Sequence, residues 1–255
     1  MNILDKIVER KREEVDSLLK HGIEHPDRDP GPKRPFKKAL IEASPIGLIA
    51  EAKKASPSKG LLCPDFDPVT LARQYQEGGA DAMSVLTDEE FFQGRLEYLH
   101  AAKENSHLPI LRKDFLIHHI QVEEADVWGA DAILLICAIL ELSLLEELLH
   151  HARERGLDCL VEVHDEPEAE KALKAGADLI GINNRNLKDF SVDLATSIRV
   201  RAEIPESVPV VSESGIRDHD DIKRLLEGNI QAVLIGETLV KSENRQEKIR
   251  ELKGL

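Results

Sequence analysis

The sequence predicts a (β/α)8 barrel, and two observations carry this prediction. A phrase recurs as GGADAMSVLT (78–87), WGADAILLIC (128–137) and KAGADLIGIN (174–183), with a looser copy, EGNIQAVLIG, at 227–236. Each copy indicates a helix ended by glycine, a short turn and then an apolar strand. Further apolar strands lie at 47–53, 108–114, 158–164 and 208–214. Eight strands at intervals of 20 to 35 residues, each followed by a helical pattern, are typical of this fold.

The individual elements favour parallel pairing. The strands are continuous apolar runs, which suit a parallel sheet that is covered on both faces. One helix shows clear end signals, since Asp67 is placed to cap it, Pro68 follows in the first turn, and Gly78 lies at the other end. A doubly wound open sheet is the alternative, but it would normally have an antiparallel or shorter edge strand, and the sequence shows none.

Residues 1–45 precede the first predicted strand and form an N-terminal helical extension, while 46–255 form the barrel. We expect both in a single domain, because barrels of this kind run to roughly 250 residues. Leu4, Val8, Val15 and Leu19 fall on one face of a helix over about 3–20. This helix either covers one end of the barrel or packs on its outside.

The composition excludes several classes of partner. Lys and Arg number 34 against 48 Asp and Glu, and the net charge of −14 argues against binding to nucleic acid or to an anionic membrane. No apolar run approaches the ~20 residues of a membrane span, and no signal peptide is visible. The three cysteines and the histidine pairs at 118–119 and 150–151 lack the spacing of metal ligands. We therefore expect a cytoplasmic protein without a metal.

Polar side chains end five of the predicted strands. They are Glu51 and Lys53, Lys113, Glu162, Asn183, and Glu213. Active sites of barrels lie at the C-terminal ends of the strands. A single Lys–Glu pair there is more often a structural ion pair, but several such positions converging on one mouth favour a catalytic site. Mutual pairing would reduce the cost of burial and move pKa values toward those that acid–base chemistry needs.

Two loops are suited to hold an anion. SESGI (212–216) and IGETL (235–239) each place a glycine at the end of a strand, where barrels often bind phosphate. The loop SPSKG (56–60) adds hydroxyl groups and Lys59. Phe91, Phe92 and Phe115 follow the second and third strands, where they either pack the core or form a wall for a flat apolar substrate.

Seven motifs in this order resemble those of the indole-3-glycerol-phosphate synthase family. They are IAEAKKASPSKG (49–60), SVLTDEEFFQG (84–94), LRKDF (111–115), LVEVHDE (160–166), IGINNRNL (180–187), VSESGI (211–216) and VLIGETLV (233–240). The resemblance covers nearly the whole chain. It implies a barrel with an N-terminal extension, no cofactor, and a small phosphorylated substrate as partner. The implied enzyme is a carboxy-lyase that closes 1-(2-carboxyphenylamino)-1-deoxyribulose 5-phosphate to indole-3-glycerol phosphate, with loss of CO2 and water.

The resemblance also implies roles for residues at matching positions. Lys113 would be the general acid that protonates the ketone oxygen, and Glu162 an acid/base in the later dehydration. Lys53 would hold the substrate carboxylate and share in proton transfer, with Glu51 positioning the cations. Which lysine acts at which step stays open at this point.

The other implied residues bind the substrate. Those that orient its hydroxyl groups and ring nitrogen are Asn183, Arg185 and Glu213. Those that contact its phosphate are Ser214, Gly215 and Gly236, with Ser56. Those that line the slot for its ring are Phe92, Phe115 and Leu134.

Two other functions compete with this one. A phosphate-binding barrel isomerase, such as phosphoribosylanthranilate isomerase, would explain the phosphate loops but would leave Lys53, Lys113 and Glu162 without a task. A non-catalytic barrel that binds a phosphorylated metabolite would be expected to have lost some mouth charges, and all are present. The expected oligomeric state is a monomer or a weak homodimer.

Overall fold

Eight parallel strands close into a barrel in the computed structural model, which describes residues 3–186 and 190–255. The strands are β1 (Gly47–Ala52), β2 (Ala82–Leu86), β3 (Ile110–Lys113), β4 (Ala132–Ile136), β5 (Asp158–Val163), β6 (Ile180–Asn183), β7 (Val210–Glu213) and β8 (Ala232–Ile235). Each pairs with the next along the chain, and β8 pairs with β1. The predicted barrel is confirmed, and the open-sheet alternative is wrong. Leu187, the last residue of the motif at 180–187, lies outside the described residues.

Helices follow the strands as the end signals predict. They are α1 (Ile3–His21), α2 (Phe36–Ile41), α3 (Pro68–Gly78), α4 (Glu89–Phe92), α5 (Leu96–Asn105), α6 (His119–Val127), α7 (Leu142–Glu154), α8 (Glu166–Lys174), α9 (Ala195–Arg201), α10 (His219–Glu227), α11 (Glu237–Val240) and α12 (Arg245–Lys253). The Asp67 side chain caps α3 by accepting a hydrogen bond from the Thr70 N–H. No helix among the described residues is long and apolar enough to cross a membrane.

Side chains alternate between two buried layers along each strand, and this alternation directs charge into the barrel. In β1, Leu48 and Ala50 pack with the surrounding helices, whereas Ile49 packs inside the barrel. Residues two apart share a face, so Glu51 and Lys53 follow Ile49 on the interior side. The apolar interior is therefore capped by charged groups at the C-terminal ends of the strands.

The short helix α2 closes the opposite end of the barrel. Phe36 and Leu40 are almost fully buried against the interior residues of the strands. The backbone N–H of Lys37 donates to the carboxylate of Asp158 at the start of β5 (2.8 Å). These contacts leave the other end, where the charges lie, as the open mouth.

Helix α1 lies at the mouth, so the first of the two expected placements is the correct one. Ile3, Leu4 and Ile7 contribute to the wall of the mouth cavity. The predicted buried face is partly wrong, because Val8 is only half-buried and Leu19 is 55% exposed. The buried positions are Ile7, Lys11 and Val15. An apolar pattern could not include Lys11, whose charge is compensated by buried carboxylates.

Candidate active site

A cavity of about 830 Å³ opens at the C-terminal ends of the strands. All the residues to which the sequence analysis assigns a catalytic or substrate-binding role contribute to its wall. They are Glu51, Lys53, Ser56, Phe92, Lys113, Phe115, Leu134, Glu162, Asn183, Arg185, Glu213, Ser214, Gly215 and Gly236. The strand ends and the loops beyond them thus bring together residues that are separated by up to 185 positions in the chain.

Lys113 lies at the centre of the charged cluster. Its Nζ is 2.5 Å from Oε2 of Glu213 and 3.5 Å from Oε2 of Glu162. Both carboxylates are buried, with exposures of 1% and 4%. Burial alone would lower the pKa of Lys113, but the negative charges of Glu213, Glu162 and Glu51 outweigh it and raise the pKa. Lys113 is therefore protonated at neutral pH.

Glu213 differs from the other carboxylates in the cluster. Its burial, together with the negative charges of Glu162 and Glu51, raises its pKa to about 7, although Lys113 acts in the opposite direction. Gly181, on the neighbouring strand β6, makes room for this carboxylate, since a Cβ there would overlap Glu213 Oε1. Glu213 is therefore able to gain and lose a proton near neutral pH.

Glu162 has a second partner that the sequence did not predict. His164 Nε2 lies 3.4 Å from Glu162 Oε1, and His164 Nδ1 lies 3.0 Å from Oε2 of Glu168 in α8. Burial raises the pKa of a carboxylate, but the charges of Lys113 and His164 reverse this effect and lower the pKa of Glu162. The sequence did contain a signal for this contact. His164 follows Glu162 by two residues, and this spacing places both side chains on the same side of the extended chain at the end of β5.

Glu51 and Lys53 form a direct ion pair at the end of β1. Lys53 Nζ lies 2.6 Å from Glu51 Oε1. Burial favours the neutral acid, but Lys53 and Lys113 together lower the pKa of Glu51. Gly236 packs against this carboxylate, and a Cβ at that position would overlap Glu51 Oε1. This is a packing role that the sequence did not predict for Gly236.

The loop after β1 reaches across the mouth to the start of α11. Ala55–Ser56 and Gly60–Leu61 pair as a small antiparallel hairpin. Lys59, at its turn, lies 2.5 Å from Oε1 of Glu237, and Lys241 lies 2.7 Å from the same atom. Burial alone would raise the pKa of Glu237, but hydrogen bonds from Lys241 and Lys59 lower it to about 2. Sequence reasoning missed Glu237 because its partner Lys59 is distant in the chain. It missed Lys241 because this residue pairs with Glu237 one turn along a short helix.

The loop after β7 has a constrained backbone. Ser214 and Gly215 both have positive φ, 68° and 89°. A Cβ at Gly215 would overlap the side chain of Val192, so this position requires glycine. Strain of this kind at a non-glycine residue such as Ser214 is often found at ligand sites. Asn184 Nδ2 secures the loop by donating to the Ser214 carbonyl (3.0 Å).

An apolar wall faces the charged cluster. The rings of Phe92 and Phe115 lie 5.9 Å apart at an interplanar angle of 35°, and Leu134 also lines the cavity. Phe91 is not among the described residues of the wall. The cavity therefore combines buried acid–base groups, a constrained polar loop and an aromatic surface.

The fold and this mouth define a (β/α)8-barrel enzyme whose buried lysine and carboxylate groups can move protons. The fold resembles that of thiamine phosphate pyrophosphorylase from Pyrococcus furiosus, with a TM-score of 0.62, 20% identity, and coverage of 86% of this chain and 96% of that chain. It also resembles N-acetylmannosamine-6-phosphate 2-epimerase from Clostridium perfringens, with a TM-score of 0.64, 14% identity, and coverage of 88% and 97%. Identities this low show the fold alone.

Comparison of sequences identifies the family. The profile described as indole-3-glycerol phosphate synthase matches residues 4–252. The chain is 51% identical to the indole-3-glycerol phosphate synthase of Desulfotalea psychrophila over 255 residues, which cover 98% of each chain. It is 46% identical to that of Desulforamulus reducens, covering 98% of this chain and 96% of the relative. The chain belongs to the indole-3-glycerol phosphate synthase family and has its activity, in tryptophan biosynthesis.

Proposed function

We propose that the residues of the mouth cavity convert 1-(2-carboxyphenylamino)-1-deoxyribulose 5-phosphate to indole-3-glycerol phosphate by ring closure, decarboxylation and dehydration. The observation that carries this proposal is the position of Lys113 between Glu162 and Glu213, within one cavity that Phe92 and Phe115 also line. The substrate needs cations for its two acidic ends, an apolar surface for its ring, and groups that donate and accept protons. The cavity has all of these.

Lys113 acts as the general acid in ring closure. The aromatic carbon that bears the carboxylate attacks the ketone carbon, and Lys113 protonates the ketone oxygen, which becomes a hydroxyl group. Lys113 carries its proton before the reaction begins, and it gives up this proton as negative charge develops on the ketone oxygen. The raised pKa makes it a weaker acid than an isolated lysine, so the transfer depends on the position of the ammonium group beside that oxygen. Glu213 and Glu162 stabilise the charged ammonium group and hold it in place.

Lys53 holds the substrate carboxylate until it leaves as CO2. Loss of CO2 returns its bonding electrons to the ring, which becomes aromatic again. Glu51 fixes the Lys53 ammonium through the 2.6 Å ion pair. Placing Lys53 on the carboxylate and Lys113 on the ketone gives each lysine a separate step.

Glu162 acts in the final dehydration. The hydroxyl group leaves as water with one added proton, and the neighbouring carbon loses a proton to complete the indole ring. Glu162 accepts or donates one of these protons, and Glu213, with a pKa of about 7, provides a second carboxyl group that exchanges protons near neutral pH. Asn183 and Arg185 orient the hydroxyl groups of the substrate.

The remaining contacts bind the two ends of the substrate. Ser214, Gly215 and Gly236, with Ser56, contact the phosphate through hydroxyl and backbone N–H groups. Phe92, Phe115 and Leu134 receive the aromatic ring. The family match leaves the isomerase and the non-catalytic barrel without support. The single domain, the cytoplasmic location and a state of monomer or weak homodimer stay predictions.

The assignment is tested by a fluorescence assay for indole formation with the synthetic carboxylate-bearing substrate. We expect product from the purified chain without added metal or cofactor, and competitive inhibition by inorganic phosphate. A folded protein that forms no indole-3-glycerol phosphate would contradict the proposed reaction. Inhibition by phosphate that does not compete with substrate would contradict the phosphate contacts alone.

A further inference from the structure

A buried lysine of helix α1, Lys11, forms ion pairs with two aspartates of the barrel loops. Lys11 is 1% exposed, and its Nζ lies 2.9 Å from Oδ2 of Asp88, 2.9 Å from Oδ1 of Asp114 and 2.8 Å from Oε2 of Glu14. Asp88 and Asp114 are themselves 0% and 2% exposed. Charges buried this deeply are tolerated only when they are paired, so the position of Lys11 is tightly constrained. Lys11 is not among the described residues that line the cavity.

Asp88 and Asp114 are hydrogen-bonded to the backbone of the residues that form the aromatic wall. Oδ1 of Asp88 accepts hydrogen bonds from the backbone N–H groups of Phe91 (2.8 Å) and Phe92 (3.1 Å). Oδ1 of Asp114 accepts a hydrogen bond from the N–H of Phe115 (2.8 Å). One ammonium group therefore bridges two carboxylates, and each carboxylate holds the backbone of one ring of the wall.

The surrounding network fixes the Asp114 side of this bridge. Oδ2 of Asp114 accepts hydrogen bonds from Thr87 (2.6 Å) and Arg112 (3.2 Å), and Arg112 also contacts Glu124 (2.7 Å). Asp88 has no comparable side-chain donor besides Lys11 among its described contacts. Thr87, next to Asp88, joins the two loops at their bases through its hydroxyl group to Asp114 and its N–H to the Lys113 carbonyl (3.2 Å). Lys11 adds the link at the Asp88 carboxylate itself, which holds the backbone of Phe92.

We propose that Lys11 is a positioning residue that sets the spacing of Phe92 and Phe115, and through it the affinity for the ring end of the substrate. This inference rests on the proposed role of the two rings as the slot for the substrate ring. Lys11 acts at a distance from the reacting atoms, so its removal changes binding of the ring more than the chemical steps. The phosphate end, held by other loops, is unaffected.

The test compares Lys11→Met with Lys103→Met. Lys103 is a matched control because it is also 1% exposed and pairs with a buried aspartate, Asp131, at 2.5 Å, but at the opposite end of the barrel. Inhibition constants are measured for indole-3-glycerol phosphate, which has the ring, and for glycerol 3-phosphate, which lacks it. We expect Lys11→Met to weaken the first ligand about tenfold and to leave the second unchanged, since small misplacements of contact groups have effects of this order or larger. Lys103→Met should leave both constants unchanged.

The possible outcomes separate the inference from the proposed function. Equal weakening of both ligands, or equal effects in the two lysine variants, would show a merely structural role for Lys11 and overturn the inference. A wild-type protein that binds both ligands equally would overturn the ring slot itself. If Lys11→Met does not fold, Asp88→Asn is judged by the same criterion, because it keeps an acceptor for the Phe92 N–H but removes both the charge and the acceptor that face Lys11.

Discussion

Lys113 and Glu213 form a 2.5 Å ion pair across the interior of the barrel, between strands that lie four places apart in the ring of eight. The two residues are 100 positions apart in the chain. A contact between opposite strands can form only where side chains project into the barrel, and here it forms at the mouth. The pair places a cation inside the mouth with carboxylates beside it, which is the arrangement on which the proposed chemistry depends.

Replacing Lys113 with Met should lower kcat by about 10²- to 10⁴-fold, because the proposed general acid is lost while a side chain of similar length remains. Steady-state kinetics by indole fluorescence measures this effect, and circular dichroism checks the fold. Lys103→Met is again the control, since it removes a buried lysine without touching the mouth. Near-normal turnover by Lys113→Met would exclude it as the acid.

The raised pKa of Glu213 predicts a pH-dependent cost to stability. A carboxyl group with a pKa of about 7 in the folded protein and about 4.5 when unfolded binds more protons when folded between these values. The free energy of unfolding of the wild type should therefore fall, relative to that of Glu213→Gln, as the pH rises from about 4.5 to 7. The total change is at most about 3 kcal/mol, and it is complete above pH 8. Urea unfolding of both proteins at pH 5, 6, 7 and 8 measures it.

Glu237→Gln is the matched control for this experiment, because Glu237 is not among the charges that shift the pKa of Glu213. The pKa of Glu237 is lowered to about 2 in the folded protein, so its ionised form adds stability that is present above the unfolded pKa and is lost only as the pH falls through the lower, folded value. Between pH 5 and 8 the difference between wild type and Glu237→Gln should therefore stay constant. A constant difference for Glu213→Gln as well would show that the Glu213 carboxyl group does not titrate in this range.

His164 should show the same direction of pH dependence as Glu213, because its pKa is also raised in the folded protein. Burial lowers its pKa, but the hydrogen bond to Glu168 and the charge of Glu162 outweigh burial and raise the pKa. Its stabilising effect is present below the unfolded pKa of about 6.5 and is lost as the pH rises through the folded value. The wild type should therefore exceed His164→Asn in stability most at pH 5 to 6, with a smaller excess at higher pH.

Glu168→Gln tests the cause of this effect, because Glu168 is the partner of His164 Nδ1 at 3.0 Å. Combining Glu168→Gln with His164→Asn in a double-mutant cycle should show a coupling energy that is larger at pH 5.5 than at pH 8. A coupling energy that does not change with pH would mean that the protonated form of His164 is not the one that binds Glu168.

The barrel and most of the mouth residues could be predicted from the sequence because both follow from regular repeats in it, the two-residue alternation along a strand and the recurring strand–helix unit. Alternation along β1 places Glu51 and Lys53 on the interior side, and the recurring strand–helix unit brings Lys113, Glu162 and Glu213 to one end. Such periods carry no information on distances between side chains. The pKa of Glu213 depends on how closely three carboxylates approach, and it could not be predicted.

Lys11 and Glu237 illustrate a second limit of the sequence. Lys11 occupies a buried position of α1 that an apolar pattern omits because the residue is charged. The same pattern could not show that Leu19, near the end of the helix, is 55% exposed. Glu237 meets Lys59 across 178 positions, through a hairpin whose path no local signal defines. Ion pairs between distant loops become visible only when the fold has brought the loops together.

Gly236→Ala tests whether packing against Glu51 matters for catalysis. The added Cβ would overlap the Glu51 carboxylate, so this group has to move, and with it the Lys53 ammonium 2.6 Å away. The backbone of Gly236 has negative φ, which alanine tolerates, so the effect should come from displacement and not from backbone strain. We expect kcat to fall by about 10- to 100-fold, a cost typical of small misplacements at an active site, whereas a change confined to KM would point to the phosphate contact of Gly236. Gly228→Ala, at the end of α10 and also at negative φ, is the control and should leave kcat/KM unchanged. If Gly236→Ala is as active as the control, the position of Glu51 and Lys53 is not critical for the reaction.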